Sequence, residues 1–204
     1  MLTFYYAPGA CSMAAHIVLE EGGEKYEEKK IDLAGGEQRT ASYLKINPLG
    51  RLPVLLLDSG GPLAENTAIL PYLGKRSNLW PIDTIVEAKA LSLIGFFAAS
   101  VHPAHAHISR PERYASDTAA FPTLKETGLK TFHGFLKQID RMLAEREWFS
   151  DRYSVLDPYG FVFYTWGVRR DLPMGELRGY TAFKDRMLKR PAVARVLDSE
   201  QIKV

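Results

Sequence analysis

The first 23 residues, MLTFYYAPGACSMAAHIVLEEGG (residues 1–23), carry the pattern of a strand, a turn and a helix. Aromatic and β-branched residues fill Leu2–Tyr6 and predict a strand, which a proline–glycine turn ends. From residue 12 to residue 21 the apolar residues recur at helical spacing, and two glycines follow where a helix would stop. The only cysteine of the chain, Cys11, therefore lies where the turn is predicted to become a helix.

The segments that follow complete a small mixed α/β pattern. Residues 26–32 predict a second strand, with a polar, glycine-rich loop after it. In NPLGRLPVLLLD, residues 47–58, proline and glycine mark a turn before a short buried strand. A Ser-Gly-Gly turn at residues 59–61 predicts a hairpin into a fourth strand near Leu63, and a helix is expected at residues 67–75. The first third is thus predicted to be strand–helix–strand, a short helix, then strand–strand–helix.

The rest of the chain carries helical patterns only. Apolar residues recur at helical spacing between residues 129 and 143, and no convincing strand is found in this part. The segment SVLD, residues 154–157, has the form of a capping box and predicts a helix start. The change in pattern predicts an α/β domain at residues 1–77 and an all-helical domain at residues 84–204, joined by a linker at residues 78–83.

Composition excludes several classes of function. The chain has 204 residues, a formal net charge of +2 and no long basic run, which argues against nucleic-acid binding. We find no stretch of about 18 apolar residues, so we expect no transmembrane helix and no membrane partner. The N-terminus lacks the pattern of a signal peptide, and one cysteine cannot form an intramolecular disulfide. We therefore expect a cytoplasmic protein.

The predicted elements and five short motifs together resemble a cytosolic glutathione transferase of the bacterial beta class. The motifs are, in chain order, YYAPGACS at residues 5–12, NPLGRLPVL at 47–55, LAENTAI at 63–69, VH at 101–102 and YSVLD at 153–157. The resemblance implies a thioredoxin-like domain with a four-stranded mixed sheet, followed by an all-α domain. It also implies a homodimeric bacterial detoxification enzyme. That enzyme would use glutathione as co-substrate, conjugating it to small electrophiles or exchanging it with disulfides.

The resemblance assigns the glutathione site to Leu33, Leu52, Pro53, Glu65 and Asn66. Backbone groups of Leu52 would pair with the cysteinyl part of the tripeptide like an added strand, and Pro53 would be cis, as in the family. Backbone N–H groups at the start of the next helix can hold the γ-glutamyl carboxylate, and Glu65 can pair with its ammonium. The alternatives are an ordinary trans proline, and a Glu65–Asn66 pair that only caps the helix.

Cys11 has two interpretations. A lone cysteine is often a small buried hydrophobe. At a helix N-terminus, however, the helix dipole lowers the pKa of a thiol, and the resemblance implies a cysteine that contacts glutathione and can form a mixed disulfide with it. Ser12 and Tyr5 offer alternative hydroxyls for the glutathione thiolate, or are a helix cap and an apolar strand residue. We expect Cys11 to be an active-site residue with a lowered pKa.

The helical half is expected to supply a catalytic histidine and the pocket for the second substrate. His102 matches the beta-class active-site histidine, a hydrogen-bond partner or proton acceptor; the alternative is a packed or surface histidine. Candidates for the pocket are Phe97, Tyr164, Trp166 and Arg169, although Phe97 and Tyr164 also suit a core. Trp166 and Arg169 together would favour an anionic aromatic substrate. No metal is expected, because no acidic or cysteine partner joins the histidines.

Some positions depart from the beta-class pattern. Gly95, Ser100 and Pro103 stand where that class has an asparagine, an acid and a lysine. The basic residue expected after the second strand is also absent, with Gln38 or Arg39 as candidates to replace it. Two alternative functions therefore stay open. One is a specialised glutathione-dependent lyase or dehalogenase, and the other is a non-catalytic protein of this fold that binds ligands or protein partners.

Overall fold

All 204 residues are described in the computed structural model of the chain. The strands are β1 (Leu2–Tyr6), β2 (Tyr26–Lys30), β3 (Val54–Leu56) and β4 (Pro62–Ala64). The helices of the same part are α1 (Met13–Gly22), α2 (Ala41–Leu44) and α3 (Asn66–Arg76). The remainder contains no strand, as expected; its helices are α4 (Thr84–Phe96), α5 (His102–Ser109), α6 (Phe121–Leu143), α7 (Leu156–Arg169), α8 (Arg178–Leu188) and α9 (Pro191–Glu200).

The four strands form one mixed sheet in the order β2–β1–β3–β4. β1 and β2 are parallel, with Leu2 opposite Tyr26, because α1 carries the chain back to the starting edge. The other neighbours are antiparallel, with Leu55 paired to Phe4 on one side and to Leu63 on the other. This is the predicted thioredoxin-like sheet.

Successive residues of β1 point to opposite faces of the sheet, and helices cover both faces. Phe4 lies in the large core that α1 and α3 share with the helical half. Tyr5 points to the other face, where it packs on the small cluster of Ile31, Tyr43 and Val54. The large core continues without a break into α6 and α7, so the sheet and the helices are held together by one set of buried side chains.

The predicted capping box is confirmed. Ser154 Oγ accepts a hydrogen bond from the Leu156 N–H at 3.3 Å, and the Ser154 N–H donates to Asp157 Oδ2 at 2.7 Å. The predicted start of α3 is wrong by one residue, because Asn66 already belongs to the helix and its side chain makes no cap. The Asn66 amide donates instead to the Cys11 carbonyl at 2.9 Å.

One long helical stretch contradicts the expectation that no part of the chain is long and apolar enough to cross a membrane. α4, a π-helical segment at Phe97–Val101 and α5 run on as one helical stretch, Thr84–Ser109. An 18-residue window within it has a mean hydropathy of 1.5, so it meets the length and composition criteria for a membrane span, contrary to expectation. These criteria alone are weak, because helices of soluble proteins also satisfy them. Only 22% of the window is buried, and although residues such as Ile94 and Phe97 lie in the core, Ile85 and Leu91 are exposed.

Candidate active site

A cleft of about 620 Å³ opens between the sheet and the helices, within the usual range for a small-molecule site. We call its two sides the N-terminal wall and the C-terminal wall. The N-terminal wall consists of Pro8, Gly9, Ala10, Cys11, Leu33, Gly50, Arg51, Leu52, Pro53, Glu65 and Asn66. The C-terminal wall consists of Ala98, His102, Pro103, His105, Ala106, Ser109, Arg110, Arg113, Tyr114, Tyr159, Trp166, Arg169 and Arg170.

Three loops meet at Cys11 in the N-terminal wall. The Cys11 thiol donates to the Leu52 carbonyl at 3.5 Å, and the Asn66 amide donates to the Cys11 carbonyl. The peptide bond between Leu52 and Pro53 is cis, as predicted. The N–H of Leu52 has no hydrogen-bond partner within the protein, so it remains available to an extended peptide.

The expected lowering of the Cys11 pKa is wrong. Burial raises the pKa of this thiol to about 12, although the charge of Arg110 and the backbone N–H groups of Cys11 and Ser12 act in the opposite direction. α1 begins only at Met13, so the sulfur lies before the first helical residue rather than in the first turn, where the dipole acts most strongly. Desolvation of the thiolate therefore outweighs the helix terminus.

The two alternative hydroxyls lie outside the cleft. Ser12 is fully buried, and its hydroxyl donates to the Ala7 carbonyl at 3.1 Å while accepting from the Ala7 N–H at 3.2 Å. It therefore fixes the loop before α1, and it makes no helix-capping bond. Tyr5 packs edge-on against Tyr43, with ring centroids 6.1 Å apart, on the far face of the sheet. Neither hydroxyl lines the cleft.

Glu65 and Asn66 form the end of the N-terminal wall. Glu65 has a φ of 68°, a backbone conformation that costs a non-glycine residue about 1 kcal/mol or more and is often kept at functional sites. Its carboxylate is exposed to the cleft, and no ion pair holds it. Asn66 is buried, and its Oδ1 has no partner. The N–H groups of Asn66 and Thr67, in the first turn of α3, are also unpaired within the protein.

The C-terminal wall holds two neutral histidines against an indole ring. Burial, followed by the charge of Arg110, lowers the pKa of His102 to about 4. Burial and then Arg170 lower the pKa of His105 to about 3. The His105 ring is stacked on Trp166 with centroids 4.1 Å apart, and His102 meets the same indole edge-on at 5.1 Å. Sequence reasoning selected His102 alone, although the three-residue spacing already placed His105 on the same helix face.

Tyr159 was also missed. It lies on α7 within the cleft lining, two turns before Trp166. Its pKa is raised by burial and by the neighbouring Cys11 thiol, while the Asn66 amide acts in the opposite direction, so the phenol stays protonated. The seven-residue spacing to Trp166 could have placed both side chains on one helix face.

Two of the four predicted pocket residues belong to the core. Phe97 is fully buried among aromatic rings, and Tyr164 is buried against Tyr180. Trp166 and Arg169 do line the cleft, and both donate hydrogen bonds to the Gly9 carbonyl, the indole at 2.9 Å. The Arg169 guanidinium is therefore engaged with the N-terminal wall.

Arginine is the dominant charged residue of the cleft. Five arginines line it, at positions 51, 110, 113, 169 and 170, and Glu65 is the single acid. Burial, then Arg110 and Arg51, lowers the pKa of Arg113, which indicates that these guanidinium groups repel one another. Gln38 and Arg39, the candidates for the missing basic residue, do not line the cleft. No cluster of three histidine, cysteine or acidic side chains suited to a metal ion is present.

Comparison with known proteins supports the fold and shows the family. The family model described as "Glutathione S-transferase, N-terminal domain" matches residues 1–75. Glutathione S-transferase GstA of Escherichia coli O157:H7 is 30% identical over 99% of this chain and 100% of its own length. The structure of a glutathione transferase homologue from Sulfitobacter with bound glutathione has a TM-score of 0.92 at 30% identity and covers 98% of both chains. A beta-class glutathione S-transferase of Sphingomonas chungbukensis has a TM-score of 0.87 at 30% identity and covers 97% of this chain and 98% of its own. The chain therefore belongs to the glutathione S-transferase family, and its fold and glutathione-dependent transferase activity are those of that family.

Proposed function

We propose that the cleft conjugates glutathione to small electrophiles, with residues 1–77 as the glutathione-binding domain and residues 84–204 as the domain that holds the second substrate. The observation that carries this proposal is the meeting of the Cys11 thiol, the unpaired Leu52 N–H and the Glu65 carboxylate on one wall. These groups match the thiol, the peptide backbone and the ammonium of glutathione in kind and in order.

Glutathione would lie along the N-terminal wall as an added strand. The Leu52 N–H would donate a hydrogen bond to the carbonyl of its cysteinyl residue. The unpaired N–H groups of Asn66 and Thr67 would hold its γ-glutamyl carboxylate at the positive end of α3. The Glu65 carboxylate would pair with its ammonium, and Leu33 and Pro53 would supply apolar contact.

The same geometry suggests how the glutathione thiolate is stabilised. Because its pKa lies near 12, the Cys11 thiol is protonated at neutral pH, and it would turn its one S–H from the Leu52 carbonyl to the bound thiolate. The Tyr159 phenol and the charge of Arg110 lie close to Cys11 and act in the same sense. His102 is too weak a base to hold a proton at neutral pH, so we assign it a hydrogen-bonding role, and the glutathione proton goes to solvent.

We also propose that the protein is a cytoplasmic homodimer that associates through the exposed apolar face of α4. Ile85 and Leu91 on this helix are 67% and 48% exposed. α4 buries Ala90 and Ile94 in the core, and a second copy of the chain would cover the apolar residues on its exposed face. Leu91→Arg should give a monomer by sedimentation velocity, whereas Ala194→Arg on the exposed face of α9 should leave the mass unchanged. A monomeric wild type would exclude the dimer.

The proposed activity is tested with purified protein and two reactions. Conjugation of 1-chloro-2,4-dinitrobenzene and thiol exchange with 2-hydroxyethyl disulfide are each followed with glutathione, alongside calorimetric titration of glutathione. We expect glutathione binding and conjugation. Binding without either reaction would support the non-catalytic alternative, and absence of binding would overturn the assignment of the N-terminal wall.

A further inference from the structure

Three arginines in the cleft have no partner within the protein. The guanidinium groups of Arg51, Arg110 and Arg113 make no hydrogen bond and no ion pair, although each lines the cleft. Outside the cleft, some arginines form ion pairs, as Arg190 does with Glu21 and Arg195 with Glu20. Arg51 projects from the N-terminal wall and the other two from the C-terminal wall, so like charges face each other across the opening. Such repulsion is relieved when an anion binds between them.

Glutathione alone does not neutralise the positive charge of the cleft lining. Five arginines and one glutamate give the cleft lining a formal charge of +4, because both histidines are neutral. Glutathione carries two carboxylates and one ammonium, so its thiolate form has a net charge of about −2 at neutral pH. About two positive charges therefore remain when glutathione is bound. Four of the five arginines belong to the C-terminal wall, opposite the proposed glutathione site.

The C-terminal wall also presents the half-buried rings of His102 and His105 beside the buried indole of Trp166. His105 and Trp166 are stacked, and His102 stands edge-on to the same indole. Arg170 donates to His105 Nε2 at 3.3 Å, which holds this ring in place and leaves the terminal nitrogens of Arg170 without a partner. A planar ring can therefore contact the exposed parts of these two neutral imidazoles while its acidic substituents reach the neighbouring arginines.

We propose that the second substrate of this chain is a small aromatic or conjugated electrophile that carries two acidic groups, which Arg113 and Arg110 bind with help from Arg170. This inference rests on the proposed conjugation of glutathione in the same cleft. Arg169, which the sequence suggested as the anion-binding residue, is engaged by the Gly9 carbonyl and positions the N-terminal wall instead.

The reaction used as a probe is aromatic substitution. The glutathione sulfur attacks the ring carbon and forms a C–S bond, the C–Cl bond breaks, and chloride leaves with the bonding pair. The proton of the glutathione thiol goes to water. No oxidant or reductant is required, and the acidic groups of the substrate keep their charge throughout.

The experiment compares three chloronitroarenes of increasing charge: neutral 1-chloro-2,4-dinitrobenzene, the monoanion 4-chloro-3-nitrobenzoate and the dianion 4-chloro-5-nitrophthalate. Each kcat/KM is divided by the rate constant of the uncatalysed reaction with free glutathione, which removes differences in intrinsic reactivity. We expect a normalised advantage of the dianion over the neutral arene of about tenfold or more. Raising the salt concentration from about 20 to about 200 mM should reduce that advantage.

Arg113→Gln is the informative variant, because Arg113 is exposed and Arg110 is the arginine that acts on Cys11. It should lower the normalised kcat/KM for the dianion about tenfold more than for the neutral arene, and Arg113→Lys should restore part of the loss. Arg178→Gln, an exposed arginine of α8 outside the cleft, is the matched control.

The outcomes separate the two proposals. Absence of conjugation with all three arenes would overturn the proposed function itself. Conjugation with no preference for the dianion, or an equal effect of Arg113→Gln and Arg178→Gln, would overturn the dianionic substrate while leaving the transferase activity in place. A preference that salt does not weaken would also contradict binding by arginine.

Discussion

The two walls of the cleft offer different kinds of chemical group to a ligand. In the N-terminal wall the available groups are mostly backbone N–H groups, set in place by bonds such as that from the Asn66 amide to the Cys11 carbonyl. In the C-terminal wall they are side chains, and the guanidinium groups of Arg110 and Arg113 have no protein partner at all. Backbone geometry is fixed by the fold, whereas side chains can be exchanged without altering it. The first wall therefore suits a constant ligand and the second a ligand that differs between relatives.

The largest effect is expected for the reactivity of Cys11. Its pH dependence shows whether burial or the helix terminus determines the pKa of this thiol in the N-terminal wall. With a pKa near 12, its thiolate fraction should rise about tenfold for each pH unit up to that value. The rate of its reaction with neutral 4,4′-dithiodipyridine should therefore increase about a thousandfold between pH 7 and pH 10. For the same reason, the mixed disulfide expected with oxidised glutathione should form much faster at pH 9.5 than at pH 7.

Free glutathione, measured under the same conditions, is the control and should level off near pH 9. Circular dichroism at each pH verifies that the protein stays folded, and Cys11→Ala removes the signal, since no other thiol is present. A plateau below pH 8 for the protein would mean that the dipole prevails and that the lowered pKa predicted from sequence was right.

Glu65 comes next, because its carboxylate is the only negatively charged side chain of the N-terminal wall. Glu65→Gln removes the charge that we propose pairs with the glutathione ammonium, and it should weaken glutathione binding roughly fiftyfold by calorimetry. Glu65→Gly should weaken binding similarly yet raise the free energy of unfolding by about 1 kcal/mol, because glycine tolerates the φ of 68°. A less stable Glu65→Gly protein would show that the side chain supports the fold rather than the ligand.

The sequence predicted the N-terminal wall well and the C-terminal wall poorly, for a physical reason. Turn residues such as Pro53 and helix starts such as Asn66 indicate the local backbone geometry. The protein groups that we propose bind glutathione follow from that geometry. The role of a side chain such as Phe97 depends on which residues surround it after folding. The pKa of Cys11 shows the same limit, since the helix start is visible in sequence and the depth of burial is not.

The histidines of the C-terminal wall provide a pH test. The folded-state pKa of His102, about 4, lies below the ordinary value of about 6.5, so the unfolded chain binds more protons between these values. Stability is therefore fully present above pH 6.5 and falls as the pH drops towards 4. His102→Gln should reduce the fall in unfolding free energy between pH 7 and pH 4.5 by about 2 kcal/mol in urea titrations. His133→Gln, a histidine outside the cleft, is the control, and equal effects would show that burial in the cleft is not the cause.

The smallest effects are expected from the two hydroxyls that sequence reasoning placed beside Cys11. Ser12→Ala leaves the Ala7 N–H without a partner, although the Ala7 carbonyl still accepts from the Ala10 N–H, and should cost about 1–2 kcal/mol of stability by urea unfolding. Tyr5→Phe should change stability by less than about 0.5 kcal/mol, since the Tyr5 hydroxyl makes no hydrogen bond within the protein. Because neither hydroxyl faces the cleft, kcat at saturating glutathione should stay within about twofold of wild type in both variants. A loss of about a hundredfold in kcat for either one, with glutathione affinity intact, would identify that hydroxyl as the donor to the thiolate. The N-terminal wall would then stabilise the glutathione thiolate through a side-chain hydroxyl. The contrast between a wall of backbone groups and the arginine-rich wall opposite would not hold for the groups around the sulfur.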